Sequence, residues 1–474
     1  MSVPPRPGPI AVISTLAMAG VILGAIGGSV LRLDAARDAA AMALLLFVAL
    51  EIRRIPIGGL RMLLPAMAAA VAALLWLPEP LTVLRRGLAE AAFITGLFTS
   101  LGMLRDAATS SPLVQSCGEQ MVRQPPGRRY AVLSLGSHVI SLALNFGVLP
   151  LLGMMVVKGN TLEAAGGDPT VLSIRKQRML SAILRGFAMM TVWSPLAVSF
   201  AVTQGVIPGL PWWRLLQIQL ALAVLLMVLG WIMDRLAFPP RARILVGGDG
   251  GVDWRPVLRL TLLVIAVVTA AVGIAEILSV RMVIGAMIVV PVAALLWQVA
   301  QQGGGDPRTA LRAAGGFAGR LAVSLPGFRH EVAILGGAMF LGTVVSAFVS
   351  PEAAARMIAW LPLPPVLVAV LLAWSVMLLA QLGISQIVTV TVLGSALGNM
   401  GGIGLHPLVL ASGLMGAWAL SACSTPVGAA IMSVARMAEV PVRTVARQWN
   451  GPFVVAGALL LGLWMLGLAM VLDS

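Results

Sequence analysis

The chain has 474 residues, of which 59% are hydrophobic and only 11% are charged, and its mean hydropathy is +0.98. A soluble domain carries roughly a quarter of its residues as charged ones, so this composition excludes a soluble protein and predicts an all-α polytopic membrane protein. The net charge of +14 is explained by arginines in short cytoplasmic loops. No motif indicates nucleic-acid binding, and the two distant cysteines, Cys117 and Cys423, indicate neither a disulfide nor a metal site.

Apolar segments of membrane-spanning length recur in chain order and predict five regions. Residues 1–87 supply N-terminal scaffold spans, and residues 88–237 form a first repeat core of span, hairpin, broken helix and span. Residues 238–253 are rich in Gly, Pro and Arg and predict a central cytoplasmic loop. Residues 254–330 supply further scaffold spans and a loop, and residues 331–474 form a second repeat core.

Arginine placement orients these segments. Basic residues flank segment 130–157 on both sides, so both of its ends are expected in the cytoplasm. Such a segment is either two short helices or a re-entrant hairpin that turns at Asn145. Segment 364–397 has almost no basic flanks and predicts a hairpin from the periplasmic side. The resulting topology has about eleven transmembrane helices plus two hairpins, with a cytoplasmic N-terminus and a periplasmic C-terminus in a bacterial inner membrane.

The two halves of the chain share an order of features. The hairpin turns at Asn145 and Ser385 are separated by 240 residues, and the proline breaks at Pro195 and Pro426 are separated by 231 residues. In both halves a span precedes the hairpin, and a broken helix and a further span follow it. Because the two halves have opposite predicted orientations, this order indicates two inverted repeats.

The helix breaks and hairpin turns are the predicted site. Irregular backbone inside a membrane is tolerated only where it is buried in protein or lines a watery cavity. The N–H groups that a break exposes favour anions, and its carbonyl groups with nearby hydroxyls can bind Na⁺. The candidate solute-binding residues are Asn145, Gly147, Ser194, Pro195, Ser385, Gln386, Ser421, Ser424, Thr425 and Pro426. Of these, Asn145, Ser194, Ser385 and Thr425 are also the candidate ion-binding residues. The alternative interpretation is simple kinks and ordinary turns.

Acidic residues are scarce in these elements, which disfavours a cationic solute and favours coupling to Na⁺ over coupling to protons. His138 could carry a proton, but a neutral, packed histidine is the simpler interpretation. A membrane-embedded transferase is the competing class of function. It would use Asp34 with Asp38, or Asp249 with Asp253, as metal ligands, although both pairs are more simply explained as loop charges. No catalytic residue, metal site or organic cofactor is therefore predicted.

Two motifs resemble a known group of transporters. The sequence STPVG at residues 424–428, followed by VPVRTVAR at residues 440–447, is similar to the TPPVG motif and the downstream VPLxxVAR-like stretch of the large membrane subunits of TRAP transporters. The turns at Asn145 and at Ser385-Gln386 resemble degenerate SNT tips of divalent-anion/sodium symporters. Both groups belong to the ion transporter superfamily.

The resemblance implies an elevator mechanism, in which scaffold spans support a transport region made of the hairpins and broken helices. It also implies a secondary transporter that moves a small organic acid or inorganic anion, commonly with Na⁺. A TRAP-type subunit that depends on a periplasmic binding protein is the alternative. The expected partners are the solute and membrane lipid, and a homodimer is left open.

Overall fold

A computed structural model of the chain describes residues 8–109, 111–207, 209–238, 253–302, 307–350, 356, 360, 362–397 and 405–472. Helix makes up 86% of the structure, and no strand occurs among the described residues. The predicted central loop at residues 238–253 lies almost wholly outside these ranges, as do Asp249 of the transferase hypothesis and most of the periplasmic flanks predicted for the second hairpin.

The α-helices of the described residues are numbered in chain order. They are α1 (Pro9–Val30), α2 (Asp34–Glu51), α3 (Ile57–Trp76), α4 (Pro80–Thr109), α5 (Pro112–Val122), α6 (Pro126–Leu144), α7 (Val148–Gly159), α8 (Pro169–Trp193), α9 (Val198–Val206), α10 (Trp212–Ala237), α11 (Arg255–Leu278), α12 (Met282–Gln301), α13 (Pro307–Ser324), α14 (Arg329–Ser346), α15 (Pro365–Gln381), α16 (Gln386–Leu397), α17 (Pro407–Ala422), α18 (Ala429–Ala438) and α19 (Gly451–Leu472). A π-helical turn at Thr444–Trp449 precedes α19.

Ten stretches of the described chain are long and apolar enough to cross a membrane, so the protein is a multi-pass membrane protein. The number differs from the eleven predicted spans for two reasons. Helix α2 contains four charged residues, and the broken helix predicted around Pro426 is divided into the short helices α17 and α18. Conversely, the first predicted hairpin is a continuous apolar stretch of 33 residues, Gly127–Gly159, and is counted among the ten.

The helices divide into two compact units. Unit 1 contains residues 1–107, 266–356 and 387–399, and unit 2 contains residues 108–265, 357–386 and 400–474. Every candidate site residue belongs to unit 2.

Within unit 1, α1 packs against α2 and α3 packs against α14. The α1–α2 contact is close because Gly24 faces the backbone of Ala36 and Ala40, where a side chain would not fit. At the end of α2 the fully buried Glu51 accepts hydrogen bonds from Ser14 Oγ at 2.8 Å and from Arg329 Nη1 at 2.9 Å. A buried charge is stable only when it is paired in this way, so these bonds join α1, α2 and α14.

Within unit 2, α8 is the central helix and packs against α6, α7, α10, α17 and α18. The polar, basic segment at residues 158–185 is largely helical, since α8 begins at Pro169. The Asp168 carboxylate caps its first turn by accepting the backbone N–H of Thr170 at 2.7 Å, a favourable arrangement at a helix N-terminus. The basic side chains of this segment bind protein groups. Arg178, for example, forms two hydrogen bonds with the Asp234 carboxylate of α10.

Helix α10 has an aromatic–basic pair near each end. The Arg214 guanidinium lies 5.2 Å from the Trp213 ring centroid, and that of Arg235 lies 5.4 Å from the Trp231 ring centroid. The two tryptophans are 18 positions apart, which corresponds to about 27 Å of helix. This length is close to the roughly 30 Å thickness of a hydrocarbon core. Tryptophan and arginine favour membrane interfaces, so the pairs are suited to marking the two boundaries of the bilayer on α10.

Candidate functional site

The chain reverses its direction at Asn145. Gly136 of α6 packs against Met121, and Gly159 at the end of α7 packs against the adjacent Val122. A continuous helix would separate positions 136 and 159 by about 35 Å, so α6 and α7 must lie side by side. The segment is thus a helical hairpin of two antiparallel helices, an arrangement that both alternatives, two short helices and a re-entrant hairpin, share.

In the turn of this first hairpin, Asn145 has the unusual backbone conformation. Its φ is 49° and its ψ is −129°, a backbone region that residues other than glycine rarely occupy. Gly147 has an ordinary helical φ of −59°, so the positive φ of this turn lies on the asparagine and not on the glycine. The Asn145 side chain is half-buried, and among the described residues its amide makes no hydrogen bond.

The first break is here named break 1 and consists of residues 194–197 between α8 and α9. Its polar groups are buried and form hydrogen bonds within the protein. The Ser194 hydroxyl accepts the backbone N–H of Leu196 at 3.2 Å, and the Ser194 carbonyl accepts that of Ala197 at 2.9 Å. Ser194 is 0% exposed, and Pro195 is also buried. The sequence correctly predicts the position of the break, because proline cannot supply the N–H that the helix needs.

The second break, residues 423–428 between α17 and α18 and here named break 2, is more open. The exposed fraction of Val427 is 57%, and Ala429 at the start of α18 is also exposed. The first N–H groups of a helix have no intrahelical acceptors, and at α18 no side chain supplies a cap. The buried Ser421 hydroxyl is occupied by the Ala417 carbonyl at 2.7 Å, and Pro426 is half-buried.

Break 2 contacts the end of α15, directly before the second predicted hairpin turn. The Gln381 side-chain amide donates to Ser424 Oγ at 2.9 Å, and Thr425 Oγ1 donates to the Ala380 carbonyl at 2.6 Å. Gly383 then ends α15 with a φ of 90°, as a glycine after a helix commonly does. Ser385 and Gln386 follow at the start of α16, and both are half-buried.

Unit 2 thus brings several of the predicted elements into contact. Helix α8 packs against α17 and α18, α9 packs against α17, and α7 of the first hairpin packs against α18. Break 2 and the turn after α15 meet through Ser424 and Thr425. No described hydrogen bond joins Asn145 to either break.

Arg185 is the residue of this region that sequence reasoning missed. It lies in α8 and is 8% exposed, and it donates to Asn450 Oδ1 at 3.0 Å, to the Trp449 carbonyl at 2.9 Å and to the Tyr130 hydroxyl at 3.1 Å. Among the described residues no carboxylate pairs with it. Its helix, α8, packs against α17 and α18, the helices on the two sides of break 2. An arginine within an apolar segment could have given the signal, had the segment been interpreted as a helix.

His138 of α6 holds the end of α8 in place. Its Nε2 accepts the indole N–H of Trp193 at 3.1 Å, and its Nδ1 lies 3.3 Å from the Gly186 carbonyl. Because Nε2 must be an acceptor, the proton is on Nδ1 and the ring is neutral. The expectation of a packed, neutral histidine therefore agrees with this geometry.

The described residues contain no group of three or more His, Cys, Asp or Glu side chains that could hold a metal ion. Of the proposed transferase ligands, Asp34 forms an ion pair with Arg37 at 3.0 Å, and Asp38 forms one with Arg85 at 2.6 Å. This pairing fits surface charges better than a shared metal.

No family model matches the sequence, and no curated protein matches it. Among the solved structures of similar fold are two transporters. The YdaH transporter of Alcanivorax borkumensis aligns over 86% of this chain and 98% of its own, with a TM-score of 0.55 at 12% identity. MtrF of Neisseria gonorrhoeae, described as illuminating a class of antimetabolite efflux pumps, aligns over 86% and 95%, with a TM-score of 0.51 at 10% identity. Both belong to a different family from the transporters whose motifs the sequence resembles. The chain therefore has the fold of a membrane transporter.

Proposed function

We propose that this protein is a secondary transporter that moves a small anionic solute across the bacterial inner membrane, and that the solute binds at break 2. The observation that carries the proposal is the composition of this break. The uncapped N-terminus of α18 offers free N–H groups to an anion. Ser424 and Thr425 add hydroxyls, which would exchange their bonds to the Leu420 and Ala380 carbonyls for bonds to the solute. Arg185 lies on α8, which packs against both helices that flank this break, and among the described residues no carboxylate pairs with it.

The charge balance supports an anion over a cation. A buried guanidinium that lacks a carboxylate is costly unless something else compensates its charge. An anionic solute at break 2 would compensate this charge, whereas a cationic solute would not. The TRAP-like motifs support the same assignment, because STPVG spans break 2 and VPVRTVAR leads into the π-helical turn whose last residue, Trp449, binds Arg185.

Na⁺ is the coupling ion that we favour. The carbonyl of Ala422 has lost its normal helical donor, because the residue four positions later is Pro426. Free carbonyl groups beside hydroxyls are typical of Na⁺ sites in transporters. Proton coupling through His138 has less support, because both of its ring nitrogens already have protein partners.

We also propose an elevator mechanism, with the two halves of the chain as inverted repeats. Unit 2 contains both breaks, the turn at Asn145 and residues 385–386, whereas the rest of α16 belongs to unit 1. Unit 2 is therefore the part that would move with the solute. Asn145, Gly147, Ser385 and Gln386 stay candidate solute-binding residues.

The test is the melting temperature of the purified protein with a panel of small mono- and dicarboxylates and inorganic anions, in Na⁺ and in K⁺. A ligand of the folded state raises the melting temperature in a dose-dependent way. We expect such a rise in Na⁺ for one class of anion, and its loss in Thr425→Val. The matched control is Thr261→Val, whose hydroxyl binds only the Val257 carbonyl of its own helix at 2.8 Å. Curves that stay flat for every anion, or a rise that survives Thr425→Val, would contradict the proposal.

A further inference from the structure

The two breaks satisfy their backbone carbonyl groups in different ways. Pro195 removes the N–H that would serve the Thr191 carbonyl, and the Ser199 hydroxyl donates to that carbonyl instead. At break 2 the corresponding carbonyl belongs to Ala422. The residue at the place of Ser199, four positions after the proline, is Ala430, which has no hydroxyl. Break 1 therefore carries its own cap, and break 2 does not.

A second carbonyl of break 1 is closed by Gln219 of α10. The N–H of Leu196 is taken by the Ser194 hydroxyl, so the Val192 carbonyl also lacks its helical donor. The side-chain amide of Gln219 donates to this carbonyl at 2.9 Å. An unsatisfied carbonyl in a buried, apolar setting is destabilising, and the bond from Gln219 removes this penalty.

Gln219 is itself held by the second half of the chain. Ser412 Oγ of α17 donates to Gln219 Oε1 at 2.6 Å, and Trp464 Nε1 of α19 donates to Ser412 Oγ at 3.0 Å. Gln219 and Ser412 are both 0% exposed. These hydrogen bonds join the end of α8 to three further helices of unit 2, so the position of break 1 is fixed from outside its own helix.

The amide that corresponds to Gln219 in the second half does not serve break 2. The residue 231 positions later, at the spacing that separates Pro195 from Pro426, is Asn450. Its amide nitrogen donates to the Val445 carbonyl at 2.9 Å, and its oxygen accepts from Arg185. Break 2 is thus left without the brace that closes break 1.

We infer that the two breaks have separate tasks: of the two, break 2 alone binds the solute, whereas break 1 is a permanent corner that Gln219 and Ser199 hold in place. The first half of this statement rests on the proposed function. The second half does not, because it concerns hydrogen bonds that exist without a solute. Gln219 is accordingly a positioning residue, and each chain binds solute at one break only.

The brace is tested with Gln219→Glu and Gln219→Leu by measuring melting temperature from about pH 5 to pH 8. A neutral carboxyl can replace the amide, because its carbonyl oxygen accepts from Ser412 and its O–H donates to Val192. A carboxylate has no proton to donate, and its buried charge would face that carbonyl. Gln219→Glu should therefore melt near the parent at low pH and several degrees lower as the pH rises. Gln219→Leu should melt lower throughout.

A pH-independent difference between Gln219→Glu and the parent would overturn the brace, even if Gln219→Leu does not fold. The separation of tasks is tested with Ser199→Ala in the carboxylate panel. This variant should melt lower but keep the full anion-induced rise that Thr425→Val loses. A rise abolished by Ser199→Ala would place solute at break 1 and overturn the separation. If no anion of the panel raises the melting temperature, the assignment of the solute to break 2 fails together with the proposed function. The pH series of Gln219→Glu would still decide whether Gln219 holds break 1.

Discussion

Gly186→Ala should be among the most damaging small substitutions in unit 2. Gly186 lies where α8 crosses α6, and an added Cβ would overlap the Ser134 carbonyl oxygen and lie 3.0 Å from the Ser137 Cβ. Backbone cannot move aside as a flexible side chain can, so the helices must separate. Separation would weaken the hydrogen bond from Ser137 to the Ile183 carbonyl, 2.8 Å, and that from His138 to Gly186, 3.3 Å.

The magnitude follows from these contacts. Overpacking costs about 1–3 kcal/mol, and each weakened hydrogen bond costs about 1 kcal/mol. Alanine's better helix propensity offsets about 0.5–1 kcal/mol, which leaves a net loss of about 2–4 kcal/mol. The assay is thermal unfolding in detergent, followed by tryptophan fluorescence. The matched control is Gly467→Ala in α19, where an added Cβ meets nothing within 4 Å. Equal melting temperatures for the two variants would refute the reasoning.

Three further outcomes follow from buried groups. Burial raises the pKa of the Cys117 thiol to about 11, so little thiolate exists at pH 7.5 and a maleimide should label this cysteine only after unfolding, as mass spectrometry would show. Arg178→Gln leaves the buried Asp234 carboxylate unpaired and should cost about 3 kcal/mol. Addition of Asp234→Asn should recover most of that loss in a melting experiment, and a double variant as unstable as the single one would contradict this account. Glu51→Ala leaves Arg329 without its carboxylate and should lower the melting temperature of the whole chain by a similar free energy, whereas an unchanged melt would show that the pair contributes nothing.

The sequence is informative where a single residue determines the local backbone. Pro195 and Pro426 lack an N–H group, so both interruptions could be placed from the sequence. The reversal of the chain at Asn145 could also be predicted from charge, because the basic flanks of segment 130–157 both indicate the cytoplasm. Membrane-spanning character follows from composition, since apolar segments of the required length have no other stable environment.

Features that depend on distant partners could not be read in the same way. The closure of break 1 requires Gln219, Ser412 and Trp464, which lie on three different helices, and no local pattern connects them. Arg185 was not recognised as a buried helical residue, because charge density in a sequence does not distinguish solvated arginines from arginines that bind carbonyls and aromatic rings. Asn145 and Gly147 were both candidates at the first turn, and the positive φ falls on the asparagine.

That positive φ has a consequence for how this position would respond to selection. Glycine could adopt the Asn145 backbone without the cost of roughly 1–3 kcal/mol that an L-residue incurs there. A library screened only for heat resistance should therefore drift toward glycine at codon 145. A library screened for growth that depends on transport would keep the amide if the amide contacts cargo. Divergence of the two libraries at one codon would separate what the fold prefers from what the activity requires.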